Sequence, residues 1–144
     1  MKRFTFPLER VLEWRRTQQR LEEIKLEGIH SELRLIDTEI TAIKSQWGAL
    51  HVLPTTGGFT SLELAARDQF RRHLVLEQKR LSQARRTVET RLASQMNTLA
   101  KKRRDVLLLE KIRGRRWEEW SRALANEIDM QAAEAALRKW TRLQ

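Results

Sequence analysis

The stretch that decides the fold is LEGIHSELRLIDTEITAIKSQWGAL, residues 26–50. Its apolar side chains recur at alternating spacings of three and four residues, which is the period of a coiled-coil seam. A helix that packs on a globular core shows a broader apolar stripe. We therefore predict one helix of a coiled coil, with these seam residues: Leu26, Ile29, Leu33, Ile36, Ile40, Ile43, Trp47 and Leu50.

Towards the N-terminus the same register meets polar side chains. It passes through Glu22, Gln19 and Arg15, whereas the nearby Leu21 and Ile24 lie off it. A coiled-coil seam is ordinarily apolar. We therefore expect the seam to change face or to fray in this stretch.

Turn and capping residues set the limits of the helices. Pro7 suits a helix start, where a missing backbone N–H costs nothing, and Pro54 to Gly58 is the strong turn cluster. Thr60 and Glu63 then have the spacing of a capping box. The predicted elements are a first helix over about 8–50, a turn over 51–60 and a second helix over about 61–142.

The second helix carries a looser apolar stripe. Its seam candidates are Leu81, Val88, Leu92 and Leu99. Two helices joined by a short turn must run antiparallel, so the sequence predicts an all-α fold: a long two-helix antiparallel coiled-coil hairpin with unequal arms. If residue 50 lies opposite residue 61, these pairs face each other: Glu39 and Arg72, Glu32 and Arg80, Glu27 and Arg85.

The longer second helix leaves residues 105–142 without a partner in this register. That overhang is rich in apolar side chains, and a lone helix in water cannot bury them. It could fold back near Gly114, or the N-terminal segment could reach further along it so that the tryptophans pack on residues 4–8. We expect instead that another molecule covers it. The partner-contact candidates are Leu108, Arg113, Arg116, Trp117, Trp120 and Leu124.

Composition limits the chemistry of the chain. There is no cysteine, and His30, His51 and His73 lack the spacing of metal ligands. No glycine-rich phosphate loop and no sheltered carboxylate pair are visible. We therefore expect a protein that is not an enzyme and that needs no cofactor and no metal. The longest apolar run, Val106–Leu109, is far too short to span a bilayer.

The net charge of +10 is concentrated in one stretch. Residues 67–104 hold 12 basic and three acidic side chains, and Arg72, Lys79 and Arg86 repeat every seven residues. This face could be solvated and partly paired with the first helix, could dock an acidic protein, or could bind nucleic acid. Residues 71–104 contain no aromatic side chain for base stacking, which argues against nucleic acid.

Short motifs at both ends resemble one family. Phe4-x-Phe6-Pro7-Leu8-Glu9-Arg10-Val11-Leu12 resembles the opening of the flagellar type III export protein FliJ. Residues 109–112, Leu-Glu-Lys-Ile, followed by Trp117, resemble its C-terminal region. Residues 127–134 resemble a reduced form of the family's Glu-Gln-Lys … Asp-Glu segment, with Ile128 in place of the glutamine. The YscO-like stalk proteins of injectisomes are similar to nearly the same degree.

This resemblance implies a role in protein export. It implies a coiled coil similar to the central stalk of rotary ATPases, whose helix termini enter the hexameric export ATPase. Further implied partners are the cytoplasmic domain of the export gate and the export chaperones. It also implies a cytoplasmic location, peripheral to the inner membrane through those partners. By position, the gate-contact candidates are Phe70, Arg71 and Leu74, although Phe70 and Leu74 lie one turn apart and could instead form the first core layer after the turn.

Two other functions remain open at this point. The first is a basic, nucleic-acid-associated coiled coil, whose affinity would fall steeply with salt. The second is a homo-oligomeric scaffold in which the overhangs of two copies pair. Sedimentation and gel-shift measurements would separate these two from an export component.

Overall fold

The computed structural model describes residues 3–51 and 57–143 as two helices and the segments that flank them. Helix α1 is Glu9–His51, with 43 residues, and helix α2 is Ser61–Arg142, with 82 residues. The helices pack against each other, so the predicted all-α hairpin with unequal arms is confirmed. The predicted helix limits agree to within one residue. Residues 52–56 of the predicted turn lie outside the described residues.

Local sequence explains where each helix begins. The Glu9 backbone N–H donates to the Phe6 carbonyl at 3.1 Å, which leads from the Pro7 position into α1. At α2 the predicted capping box is confirmed, because the Thr60 N–H donates to Glu63 Oε2 at 2.9 Å and the Glu63 N–H donates to Thr60 Oγ1 at 3.3 Å. Gly57 precedes this box with a φ of 99°, a conformation that glycine adopts without steric cost.

The chain divides into two compact units, described separately below. The loop unit is Leu21–Leu99 and contains the connection between the helices. The terminal unit comprises Met1–Arg20 and Ala100–Gln144.

The loop unit is held by an apolar seam. Ile43, Leu74 and Leu81 form its buried cluster, against which Ile40 and Trp47 pack. All twelve seam residues predicted from the sequence are buried or half-buried: Leu26, Ile29, Leu33, Ile36, Ile40, Ile43, Trp47, Leu50, Leu81, Val88, Leu92 and Leu99. The heptad spacing therefore identified the contact face correctly.

Ion pairs in the loop unit correct the predicted register. Glu32 pairs with Arg91 at 2.8 Å, and Asp37 pairs with Arg85 at 2.9 Å. The turn alone predicts that Glu32 faces Arg80, so its true partner lies about three helical turns further along α2. The first helix therefore reaches further along the second than a register counted from the turn allows.

The other two predicted pairings across the hairpin are wrong as well. Arg72, predicted to face Glu39, pairs with Asp68 on its own helix at 2.8 Å. Glu27, predicted to face Arg85, pairs with Arg34 on its own helix at 3.3 Å. These charges are thus neutralised within one helix rather than between the two.

Glu22 stays in the seam of the loop unit despite its charge. It is 9% exposed, and Gln95 Nε2 donates to Glu22 Oε2 at 2.5 Å and to the Glu22 carbonyl at 3.1 Å. Lys25 Nζ lies 3.2 Å from the other carboxylate oxygen. Leu21 and Ile24 are exposed instead. The predicted change of face is therefore wrong here, since hydrogen bonds satisfy the polar group where it lies.

The terminal unit has a separate core. Phe6, Leu12 and Val106 are buried together, and Phe4 and Leu109 pack against them. Leu12 is 0% exposed and is the most deeply buried of these. The aromatic side chains that precede α1 thus contribute to the core alongside residues of both helices.

Three ion pairs accompany this core and correct a second prediction. They join Arg15 to Asp105 at 3.2 Å, Arg16 to Glu110 at 3.1 Å and Glu9 to Arg113 at 2.9 Å. Half-buried Arg15 therefore remains in the seam, and the predicted change of face is wrong for this residue too.

The predicted overhang is too long. Residues from Asp105 onwards have partners in the N-terminal part of the chain, and within residues 3–51 and 57–143 these contacts extend along α2 to Trp120, whose ring centroid lies 5.8 Å from that of Phe4. The helix is continuous at Gly114, so no fold-back occurs there. For residues 105–120 the correct alternative is therefore the one in which the N-terminal segment reaches further along α2.

Candidate interaction surfaces

Arg67 ties the beginning of α2 to the end of α1 in the loop unit. Its guanidinium carbon lies 4.7 Å from the centroid of the Phe59 ring. The same guanidinium donates a hydrogen bond to the Leu50 carbonyl, one of the terminal carbonyls of α1 that has no partner within its helix. These contacts order the described residues on both sides of the helix connection.

A groove lined by aromatic and cationic side chains lies beside Arg67. The Trp47 and His51 rings stack at 6.3 Å and 22°, and the Arg71 guanidinium lies 5.9 Å from the Trp47 ring. A guanidinium in this position is attracted by the face of the ring. The groove has a volume of about 310 Å³ and is lined by Trp47, Leu50, His51, Phe59, Leu64, Arg67, Asp68 and Arg71.

A second groove of about 420 Å³ shares the Trp47 ring as a wall and is almost wholly apolar. It is lined by Trp47, Arg71, Arg72, Val75 and Leu76. Val75 also lines a third depression, which continues along α2 past Lys79 to Arg86. Beyond Val75 this depression is lined by polar residues and the two cations, so the apolar surface is confined to Trp47, Val75 and Leu76.

Only part of the positive charge on α2 is neutralised. Arg80 donates from Nη2 to Glu77 at 2.8 Å, and this hydrogen bond is the main cause that lowers the pKa of Glu77 below its usual value. The same bond raises the pKa of Arg80. Lys79 and Arg86, by contrast, make no ion pair with any described side chain. These two cations remain available to a partner.

The predicted gate-contact residues differ in accessibility. Phe70 is 40% exposed and its ring stacks on His73 at 6.5 Å, and Arg71 is exposed above Trp47. Leu74 is only 1% exposed and belongs to the core of the loop unit. The prediction of a surface contact by Leu74 is therefore wrong, because a partner cannot reach a side chain enclosed by both helices.

Three of the predicted partner-contact residues in the terminal unit are accessible. Leu108, Arg116 and Trp117 are exposed, and Trp117 retains 52% of its accessible surface. These side chains can meet a partner without any change in the fold.

The other three candidates in the terminal unit are half-buried or already have a partner within the chain. Arg113 pairs with Glu9, and Trp120 packs on Phe4. Leu124 is half-buried. Arg113 and Trp120 thus already have contacts within the chain, because the N-terminal segment reaches them.

Sequence reasoning missed one contribution to these surfaces. Trp47 is predicted from its spacing as a seam residue alone, although its ring also forms a wall of both grooves. The available signal was an aromatic residue at the end of a seam, next to a turn.

Beyond Trp120 the predicted apolar overhang remains exposed. Its large exposed members are Ile128, Met130, Leu137, Trp140 and Leu143.

The part of the chain that the structure describes contains neither a metal site nor a membrane-spanning stretch. Within residues 3–51 and 57–143, no cluster of histidine and carboxylate side chains could hold a metal ion. In the same described part of the chain, neither helix includes an apolar stretch that could cross a bilayer. No protein-family model, curated protein or solved structure matches the chain.

Proposed function

We propose that this protein is a non-catalytic stalk and coupling component of a flagellar-type III export apparatus. In this proposal, the terminal unit engages the hexameric export ATPase and the loop unit engages the cytoplasmic domain of the export gate, with export chaperones as further partners. The protein would act in the cytoplasm, peripheral to the inner membrane. Its role would be mechanical, since a hairpin whose two units bind different partners can couple the movements of the two.

One observation carries the proposal: the second helix continues past Trp120, the position where the described residues of the N-terminal segment reach it, and exposes apolar side chains. Beyond Trp120 the exposed large residues include Met130, Leu137 and Trp140, and earlier in the unit Leu108 and Trp117 are exposed too. Contiguous exposed apolar surface marks interaction sites. Tryptophan with neighbouring arginine is the composition typical of interface hot spots.

The residues that resemble the FliJ opening support the proposal in a second way. Phe6 and Leu12 from that motif are buried, and Phe4 packs on Trp120. In this structure the motif holds the N-terminal segment along α2, so its residue types have a physical reason. Because the N-terminal segment packs along α2, residues of both would face the same partner.

The test is the affinity of the full chain for the purified hexameric export ATPase. We expect the double variant Leu108→Ala with Trp117→Ala to bind roughly tenfold more weakly or worse, because both side chains are exposed and contribute little to folding. The matched control is Leu62→Ala with Leu64→Ala, which removes exposed apolar side chains from the loop unit.

Equal affinity of all three proteins would contradict the proposal. A truncation at residue 104 is a poorer test, because it also removes Asp105, Val106 and Glu110 from the packed part of the terminal unit.

A homo-oligomeric scaffold is the second candidate, favoured by the same apolar surface beyond Trp120. In that case Leu137→Asp and Met130→Asp would convert a dimer to a monomer in analytical ultracentrifugation. For the export stalk we expect a monomer with or without these changes.

A further inference from the structure

We infer that the apolar patch at Trp47, Val75 and Leu76 in the loop unit, together with the row of cations that continues from it along α2, binds an amphipathic α-helix with acidic flanks, which lies alongside the hairpin as a third helix. The surface is here called the basic groove and consists of Trp47, Arg71, Val75, Leu76, Lys79 and Arg86. The inference rests on the proposed function in one respect, because it states the chemistry of the partner that the loop unit would engage.

The floor of the basic groove is apolar and open. Val75 and Leu76 are exposed, and together with the Trp47 ring they form the apolar part of an open depression of about 420 Å³, which Arg71 and Arg72 also line. Large apolar side chains of a partner would be removed from water here. This floor distinguishes the groove from a solvated charged face.

The rim of the groove is positive. Arg71 lies over Trp47, and Lys79 and Arg86 make no ion pair with any residue that the structure describes. Arg72 adds a fourth cation, although Asp68 at 2.8 Å partly neutralises it. An occupant with carboxylates at its edges would supply the missing counter-charges.

The spacing of the cations matches a helix. Arg72, Lys79 and Arg86 repeat every seven residues, so they stand on one side of α2 at intervals of about 10.5 Å. Carboxylates at heptad flanking positions on a helix running alongside would repeat at the same interval. Val75 and Ser82, also seven apart, line the groove beside them. An extended or flexible polyanion would gain nothing from the apolar floor, which adjoins the first of these cations, Arg72.

The test uses the full chain and a labelled three-heptad helical peptide with leucine at the seam positions and glutamate at the flanks. Binding is followed by fluorescence anisotropy near physiological salt. Two variants probe the groove: Lys79→Glu with Arg86→Glu for its rim, and Val75→Asp for its floor. The matched control is Lys111→Glu with Arg115→Glu, which makes the same change of net charge as the rim variant but in the terminal unit.

We expect the wild type and the control to bind the peptide alike. Each groove variant should bind roughly tenfold more weakly or worse, equivalent to about 1.4 kcal/mol. A peptide of the same composition with a scrambled order should lose binding to a similar degree. Circular dichroism and thermal melting establish that each variant keeps its fold; Lys79 and Arg86 are exposed, so their reversal should not unfold the hairpin.

Three results would overturn the inference. The first is no binding by the wild type, and the second is an equal loss in the control. The third is binding of the scrambled peptide, or of a single-stranded RNA of equal charge, at least as tight as that of the amphipathic peptide. The groove variants should still bind the export ATPase, so failure here and failure of the proposed function are separable.

Discussion

The loop unit and the terminal unit use the same two helices but achieve stability differently. In the loop unit, apolar seam residues of both helices meet, except at Glu22, which is hydrogen-bonded to Gln95, and the most buried residue is Leu74. In the terminal unit, the α1 seam is interrupted by Arg15, and Phe6 from the segment before the helix completes the core around Leu12. A seam with charged members can therefore persist when an aromatic segment and matching charges support it.

The largest expected effect comes from removing the most buried leucine of either unit. Leu74→Ala and Leu12→Ala should each cost about 2–5 kcal/mol in the free energy of unfolding, because both side chains are fully enclosed. Denaturant unfolding measures this cost. Hydrogen exchange should show that protection falls mainly around Ile43 and Leu81 in the first variant and around Val106 in the second.

The exposed neighbours Leu76 and Val11 are the controls for this pair. Replacing either by alanine should change stability by less than about 0.5 kcal/mol. Equal costs for buried and exposed positions would mean that the units lack the cores described above.

A smaller effect is expected from the polar contact within the loop unit seam. Glu22→Ala should cost about 1–3 kcal/mol in the free energy of unfolding, because the half-buried side-chain amide of Gln95 loses its hydrogen bond to a charged group and keeps only the main-chain carbonyl of residue 22. The double variant Glu22→Leu with Gln95→Leu should recover or exceed wild-type stability while loosening the register of the helices.

Distances between spin labels on the two helices would detect such a loss of register. A double variant that keeps one sharp distance would show that the apolar seam specifies the register without help from Glu22.

The smallest effect concerns the exposed Glu77–Arg80 pair of the loop unit. The hydrogen bond from Arg80 lowers the pKa of Glu77. The ionised Glu77 carboxylate therefore stabilises the folded state fully above the usual carboxyl pKa, and this stabilisation is lost as the pH falls through the lowered pKa of Glu77. We expect Glu77→Gln to reduce the acid dependence of the melting temperature only slightly, because solvent screens the pair. If the substitution leaves the pH dependence of the melting temperature unchanged, the Glu77–Arg80 pair does not contribute to the loss of stability in acid.

The sequence predicted the elements and the contact face well. The capping box at Thr60 and Glu63 located the beginning of α2, and heptad spacing selected seam residues that are all at least half-buried. Both signals are local, since they depend on residues within a few positions of each other.

Pairings across the hairpin could not be predicted in the same way. Glu32 meets Arg91, about three turns from the expected Arg80, because the register was estimated from the turn alone. The same error made residues 105–120 look unpartnered, although Phe4 and Arg15 have contacts there.

The predicted surface residues were only partly right for a related reason. Phe70 and Trp117 are accessible, but Leu74 is not. The sequence marks each of them as apolar, and only the position of the facing helix decides whether such a side chain is enclosed or exposed.

The sequence by itself determined that this chain forms two helices, where they begin and which side of each is apolar, since caps and periodicity act over a few residues. Only the tertiary structure decided which residues of the two helices meet. Sliding a repetitive seam by one heptad still places apolar side chains opposite each other, so periodicity alone barely distinguishes the alternatives. Specific contacts distinguish them, because each requires two particular residues to be opposite: Gln95 with Glu22, Asp105 with Arg15 and Trp120 with Phe4.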